Sequence, residues 1–185
     1  MINDVLKESE DRMKKSLVSL ETAFNRIRTG RAHPSILDSV RVNYYGSEMP
    51  IQQVANVNVE DARTLSIAPW EKKMVQEIEK AIMKSDLGLN PSNNGDVIRV
   101  PMPMLTEQTR KNYTKQAKAE AENARVAVRN IRRDANNNFK DFLKDKAISE
   151  DDARRAEQNI QKMTDNYIAT IDKKYSEKEA DLLSI

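Results

Sequence analysis

Apolar residues recur at steps of three and four over residues 2–28: Val5, Leu6, Met13, Leu17, Leu20, Phe24 and Ile27, with Ser9, Ser16 and Ala23 filling the same stripe. This spacing predicts an amphipathic helix, ended by Gly30 with Pro34 beyond it. Residues 106–146 predict a second, much longer helix whose apolar line is Tyr113, Ala117, Ala121, Ala124, Val128, Ile131, Ala135, Phe139 and Phe142. Thr106 is placed to cap it, and Glu107 suits the positive end of its dipole. A third helix opens at "SEDD", with Ser149 as cap and Asp152 at the capping-box position, and runs on through Ala153, Ala156, Ile160, Met163, Tyr167, Ile171, Tyr175 and Leu182. At 1.5 Å per residue the second helix is roughly 60 Å long. None of the three buries its stripe alone, and together they form a bundle. The link "KDKAIS" is short, so the second and third helices are expected to be antiparallel neighbours.

The periodicity changes between the first and second helices. "SVRVNYYG" alternates through Val40, Val42 and Tyr44 and turns at Gly46, while "VANVNVE" and "TLSIA" are further strand candidates. "WEKKMVQEIEKAIMKS" predicts a helix with Met74 or Val75, Ile78, Ala81 and Ile82 inward. "LGLNPSNNG" is dense in turn residues, and "DVIRVPMP" returns as a strand ended by prolines. The expected fold is α+β in two domains. Residues 1–29 and 106–185 form a discontinuous, elongated antiparallel three-helix bundle, and residues 30–105 form an inserted small α/β domain. Two linkers, 29–34 and 101–106, join them, and Gly30, Pro34, Pro101, Pro103 and Leu105 mark a hinge. Trp70, after Pro69, is expected to anchor the packing of the small domain. An alternating strand places one of Tyr44 and Tyr45 in its core.

Composition suits that shape. With 38% hydrophobic and 32% charged residues the surface is large relative to the core, and 5% aromatics argue against a large aromatic β core. Cysteine is absent, which excludes disulfides and thiolate metal sites. No apolar run approaches the ~20 residues that span a bilayer, and "MINDVLKESEDRMKK" lacks a signal-peptide core. A cytoplasmic protein with no membrane association is expected.

The net charge of +2 conceals a gradient. Residues 106–148 carry 11 basic and 6 acidic side chains, and residues 149–185 carry 6 and 9. On a helical wheel with Tyr113 at 0°, the apolar line of the second helix spans roughly −20° to 80°. Lys111, Lys115, Lys118, Arg125, Arg129, Arg132, Arg133 and Lys140 fall between about 100° and 200°, with Glu122 the one acid among them. Asn112, Gln116, Asn123, Asn130, Asp134 and Asp141 take the other flank. One reading of this stripe is a solvated face, or one paired with the acidic third helix. Its one-sidedness and its arginine-rich centre favour a phosphate backbone, because the planar guanidinium matches phosphate geometry.

The chemistry of catalysis is missing. The one histidine, His33, lies in a linker before Pro34, and no nucleophile–base pair can be assembled from it. No glycine is followed by Lys-Ser or Lys-Thr, so there is no Walker-type phosphate loop. No metal-ligand cluster stands out, and neither catalytic nor metal-binding residues are assigned.

"IRTGRAHPSILD", "NVNVEDARTLSI", "IEKAIMKSDLGLNP", "GDVIRVPMPMLTEQTRK", "ARVAVRNIRRDAN" and "SEDDARRAEQNIQKMTD" together resemble the bacterial ribosome recycling factor family, in the same order and over essentially the whole chain. The resemblance implies a three-helix bundle and an inserted β-α-β sandwich arranged as an L, like transfer RNA. It implies a monomer that binds the large ribosomal subunit after termination. With elongation factor G and that partner's GTP hydrolysis, such a factor splits the ribosome and releases messenger RNA and transfer RNA. No cofactor of its own is implied, since the GTP belongs to the partner. The family's contacts with large-subunit ribosomal RNA carry over to Arg110, Arg129, Arg132 and Arg133, with Arg28 and Arg31 near the hinge. Arg125 and Lys118 join them from the wheel alone. One departure is local: where the family often reads "TEERRK", this chain has Thr109 in place of a basic residue. Two rival readings stay open, a ribosome-associated RNA-binding or chaperone-like bundle with no splitting role, and a helical interaction protein that binds no nucleic acid.

Overall fold

Three stripes at helical spacing and one stretch of alternating positions sort the chain into its two parts. The computed structural model describes residues 1–184. It divides into two compact units, one of residues 1–28 and 107–184, the other of residues 29–106. Ile185, counted with the bundle from sequence, lies outside the described residues.

The first unit holds α1 (Ile2–Asn25), α3 (Glu107–Lys144) and α4 (Glu150–Leu183). On α1 the buried residues are Val5, Ser9, Met13, Leu20 and Phe24, with Ile27 buried just beyond its end. On α3 they are Ala117, Ala121, Ala124, Val128, Ile131, Ala135 and Phe139, while Tyr113 and Phe142 at the ends of the expected stripe are partly buried against the same core. Alanines fill most of that line, so α3 presents a thin face on which the bulkier side chains of the other helices close. Cross-links fix the helix directions. Arg125 meets Asp172 and Arg132 meets Gln161, so α3 and α4 are antiparallel. Lys174 meets Glu21, and the Lys178 ammonium donates to the Ile27 carbonyl at 2.8 Å, so α1 and α4 run parallel.

The turn between α3 and α4 satisfies the backbone groups that helix ends leave open. Lys146 has φ 60°. Its N–H donates to the Leu143 carbonyl, and the Ala147 N–H donates to the Phe142 carbonyl at 2.9 Å, which makes a Schellman cap with lysine where glycine is usual. Ser149 Oγ then accepts from the Asp152 N–H at 3.1 Å and opens α4, as "SEDD" predicts.

The first strands of the second unit form a hairpin, β1 (Arg41–Tyr44) and β2 (Ser47–Pro50). Its two-residue loop, Tyr45 and Gly46, has φ 51° and 90°, the combination that matches the right-handed twist of paired strands. A second sheet contains β3 (Ala55–Asp61), β4 (Thr64–Pro69), β5 (Ser92–Asn93) and β6 (Ile98–Pro101), in the order β3-β4-β6-β5, all antiparallel. Between β4 and β5, α2 (Val75–Lys84) lies against β1 and β5, so it touches both sheets. Met74, Val75, Ile78 and Ile82 of this segment join Val42, Leu65, Ile67, Ile98 and Val100 in one core.

Trp70 corrects an expectation. It is 61% exposed and does not anchor this core. It follows Pro69 at the end of β4, and only its backbone is held there, its N–H donating to the Val54 carbonyl at 3.2 Å. The anchoring volume comes instead from aliphatic residues of α2.

Candidate nucleic-acid interface

The segment "ARVAVRNIRRDAN" puts Ala124, Val128, Ile131 and Ala135 on the buried line of α3, and the residues between them must flank it. The two flanks face different neighbours. On one, Asp134 pairs with Arg12 of α1 at 3.1 Å. On the other, Arg125 and Arg132 reach side chains of α4. The basic line therefore follows the α3–α4 edge.

The expected contact residues differ in their surroundings. Arg125 is largely enclosed, its side chain 18% exposed. Its Nε donates to Asp172 Oδ1 at 2.7 Å, its Nη2 lies 2.7 Å from the same oxygen, and its Nη1 lies 3.1 Å from Glu122 Oε2. Burial pushes this guanidinium's pKa down, but the hydrogen bonds to Asp172 and Glu122 outweigh it and raise the pKa above the usual arginine value. Arg125 is thus held between helices. Arg129 is more open at 40%, with Nη1 3.6 Å from Glu122 Oε1. Arg132 is half-buried and donates from Nη1 to Gln161 Oε1 at 3.3 Å. Arg133 is exposed, with one contact of 3.3 Å to Asn130 on the preceding turn. Lys118 is exposed. Arg110 is half-buried, and its Nε is buried with no hydrogen-bond partner. Arg28 is half-buried and Arg31 exposed.

The linker residues have their own local geometry. Gly30 has φ 80°, which a residue with a Cβ rarely adopts. Pro34 opens a short 3-10 turn over Pro34–Leu37. His33 Nδ1 caps that turn by accepting from the Ser35 N–H at 3.1 Å, so the lone histidine has a structural task. Pro101 ends β6, and Pro103 and Leu105 lie before α3.

In the second unit Glu71 gathers two tyrosines. Tyr44 Oη donates to its Oε1 at 2.8 Å and Tyr45 Oη to its Oε2 at 2.7 Å, with the rings edge-on at 4.7 Å. The hydrogen bonds from Tyr45 and then Tyr44 hold the Glu71 carboxyl below its usual pKa, and the same bonds raise both phenols. Tyr44 packs partly against the core, whereas Tyr45 is 67% exposed. Neither is fully inside, because the turn at Tyr45 breaks the strand alternation.

Sequence reasoning saw Glu122 only as an interruption of the stripe and missed Asp172 and Gln161. The signal for Glu122 was present, since Arg125 and Arg129 stand three and seven residues after it on one face. The α4 partners depend on how two long helices are staggered, which spacing within one helix does not reveal. Among the described residues no group of three or more His, Cys, Asp or Glu is placed to hold a metal ion. No described helix is long and apolar enough to cross a membrane.

Comparison with known proteins gives a consistent picture. The family model described as "Ribosome recycling factor" matches residues 20–183. The chain is 66% identical to the ribosome-recycling factor of Marinomonas sp. and 64% identical to that of Saccharophagus degradans, in each case over 100% of both chains. Among solved structures, it is similar to a solution structure of the ribosome recycling factor, with 38% identity, TM-score 0.77 and coverage of 100% of this chain and 98% of the other. It is also similar to the T. thermophilus ribosome recycling factor described, with E. coli elongation factor G, as bound to the E. coli post-termination complex. That match has 43% identity, TM-score 0.68 and 99% coverage of both chains.

Proposed function

We propose, for a chain that belongs to the ribosome recycling factor family, that it binds the large ribosomal subunit after termination and splits the ribosome together with elongation factor G. The GTP hydrolysed is the partner's, and this chain supplies no cofactor and no catalytic group. Splitting releases messenger RNA and transfer RNA for a new round of initiation. The protein acts as a cytoplasmic monomer.

One observation carries the binding step: Arg129, Arg132 and Arg133 form a partly open row of guanidinium groups on one edge of a long, rigid helix. A row on such a scaffold suits a phosphate backbone, because helix rigidity fixes the spacing while each head keeps donors to offer. Lys118 extends the row toward the start of α3, with the half-buried Arg110 and with Arg28 and Arg31 as further RNA contacts. Gly30, Pro34, Pro101, Pro103 and Leu105 serve as the hinge through which the partner's motion is transmitted.

The test is subunit dissociation of post-termination ribosomes, followed by light scattering, with this protein, elongation factor G and GTP omitted in turn. Splitting is expected only when all three are present. Binding to large subunits with no nucleotide-dependent splitting would instead favour an RNA-binding bundle without a recycling role.

A further inference from the structure

The one acid in the basic stripe has a geometry that a chance interruption does not require. Glu122 directs its two carboxylate oxygens to two different arginines, Oε2 to Arg125 at 3.1 Å and Oε1 to Arg129 at 3.6 Å. Arg125 is in turn fixed from outside α3, with Nε and Nη2 both 2.7 Å from Asp172 Oδ1 on α4. The four side chains form an alternating line, Asp172–Arg125–Glu122–Arg129, that starts on α4 and ends at an arginine with 40% of its side chain exposed. Arg132 is treated in a similar way with a neutral link: it donates to Gln161, and Gln161 donates to Asp165 at 2.9 Å.

We propose that Glu122 is a positioning residue that presets Arg129 for a phosphate of the ribosomal RNA, with Arg125 as the post that anchors it. The proposal rests on the reading of the stripe as the large-subunit contact. A free arginine loses much side-chain entropy when it binds, and a side chain already held loses less. Glu122 engages Arg129 through Nη1. The rest of the fork can then address a phosphate. Arg125, by contrast, uses Nε and both terminal nitrogens on carboxylates and is the internal member of the pair.

The alternative role for a carboxylate here is plain charge relief among like-charged neighbours. The two roles predict opposite signs. Glu122 stands beside the stripe that meets a polyanion, so deleting its charge strengthens RNA binding if only net charge matters. If Glu122 positions Arg129, deleting its charge weakens binding although the surface becomes more positive.

The experiment measures binding to isolated large subunits by co-sedimentation across a salt series, for the parent, Glu122→Gln, Arg129→Ala and the double variant. Glu122 is 55% exposed, so Gln is expected to fold normally, and thermal unfolding verifies this. Glu122→Gln is expected to bind about 2- to 10-fold more weakly, the range for one side chain's lost preorganisation. With Arg129 already replaced by Ala, the same change is expected to leave binding unaltered or to tighten it, and this change of sign within the cycle is the signature of positioning. Tighter binding by Glu122→Gln in the parent, or an equal loss in both backgrounds, overturns the proposal. If Arg129→Ala itself binds like the parent at every salt concentration, the reading of the stripe fails. If Arg129→Ala weakens binding while Glu122→Gln tightens it, that reading stands and only the role of Glu122 falls.

Discussion

Arg12 of α1 and Asp134 of α3 are 122 residues apart in sequence, and the guanidinium Nη1 lies 3.1 Å from the carboxylate Oδ2. The pair joins two helices on the flank of α3 away from its arginine row. Both side chains are about half exposed, at 45% and 56%, so solvent screens the attraction. Asp134→Asn is therefore expected to cost no more than about 1 kcal/mol in urea denaturation. It should leave large-subunit binding nearly unchanged, which makes it the control for substitutions on the opposite flank.

Arg132→Ala tests the row directly. Its head is held by a single contact to Gln161, leaving donors for a phosphate. The variant is expected to bind large subunits more weakly by at least ~1 kcal/mol and to show a salt slope shallower by about one unit. Sedimentation at several salt concentrations measures both, and parental binding at every salt would identify the row as a solvated face.

Arg125→Ala should act mainly on stability. The substitution leaves Asp172 without its guanidinium and Glu122 with Arg129 alone, but both carboxylates are about half exposed and water partly replaces what is lost. A loss of about 1–2 kcal/mol is expected by chemical denaturation. A stability equal to the parent's would show that the Asp172 contact does not persist in solution.

Ile131 is 4% exposed on the inner line of α3. Truncation to Ala removes buried methyl groups and leaves a cavity, which is expected to cost about 2–5 kcal/mol. Thermal unfolding at the parental temperature would contradict the helical register.

Glu71 gives a pH-dependent local structure. Its carboxyl titrates below the ordinary value of 4.5 because Tyr45 and Tyr44 donate to it. A depressed carboxyl stabilises the fold above pH 4.5, and this contribution is lost as pH falls through the lower folded value. The phenols are raised above 10.0, so their contribution is present below pH 10 and lost as pH rises through the raised values. Ring resonances of Tyr44 and Tyr45 in an NMR titration should shift together at the acid end. In Glu71→Gln that joint acid transition should disappear, and its persistence would assign it to another group.

The long helices were legible because their cores follow a single period. Val128, Ile131, Ala135 and Phe139 are buried where the wheel placed them, and the Ser149 cap was written in "SEDD". Residues whose environment depends on a second element were not. Trp70 has the composition of a core residue and the position of a strand-end residue, and position decided its exposure. The short strand β5, Ser92–Asn93, sits in a stretch read as turns because its pairing comes from β6 and not from its own propensity. Arg125 was grouped with its neighbours on α3, and its 2.7 Å contact with Asp172, on another helix, is not visible in that spacing.

The interruption of the bundle by residues 29–106 governs the order in which the chain can fold. During synthesis α1 is made first, with Val5, Met13, Leu20 and Phe24 on one face and no helix to receive them. The small unit is contiguous and can close its own core next. At ~5–20 residues per second, α1 waits on the order of 10 s before α3 and α4 follow. Those two meet through a tight turn, a local event. The return of α1 is the non-local closure and the slow one. For that interval the nascent chain displays an apolar helix seam, which makes the stage before α1 docks the one most exposed to misassociation and to chaperone capture.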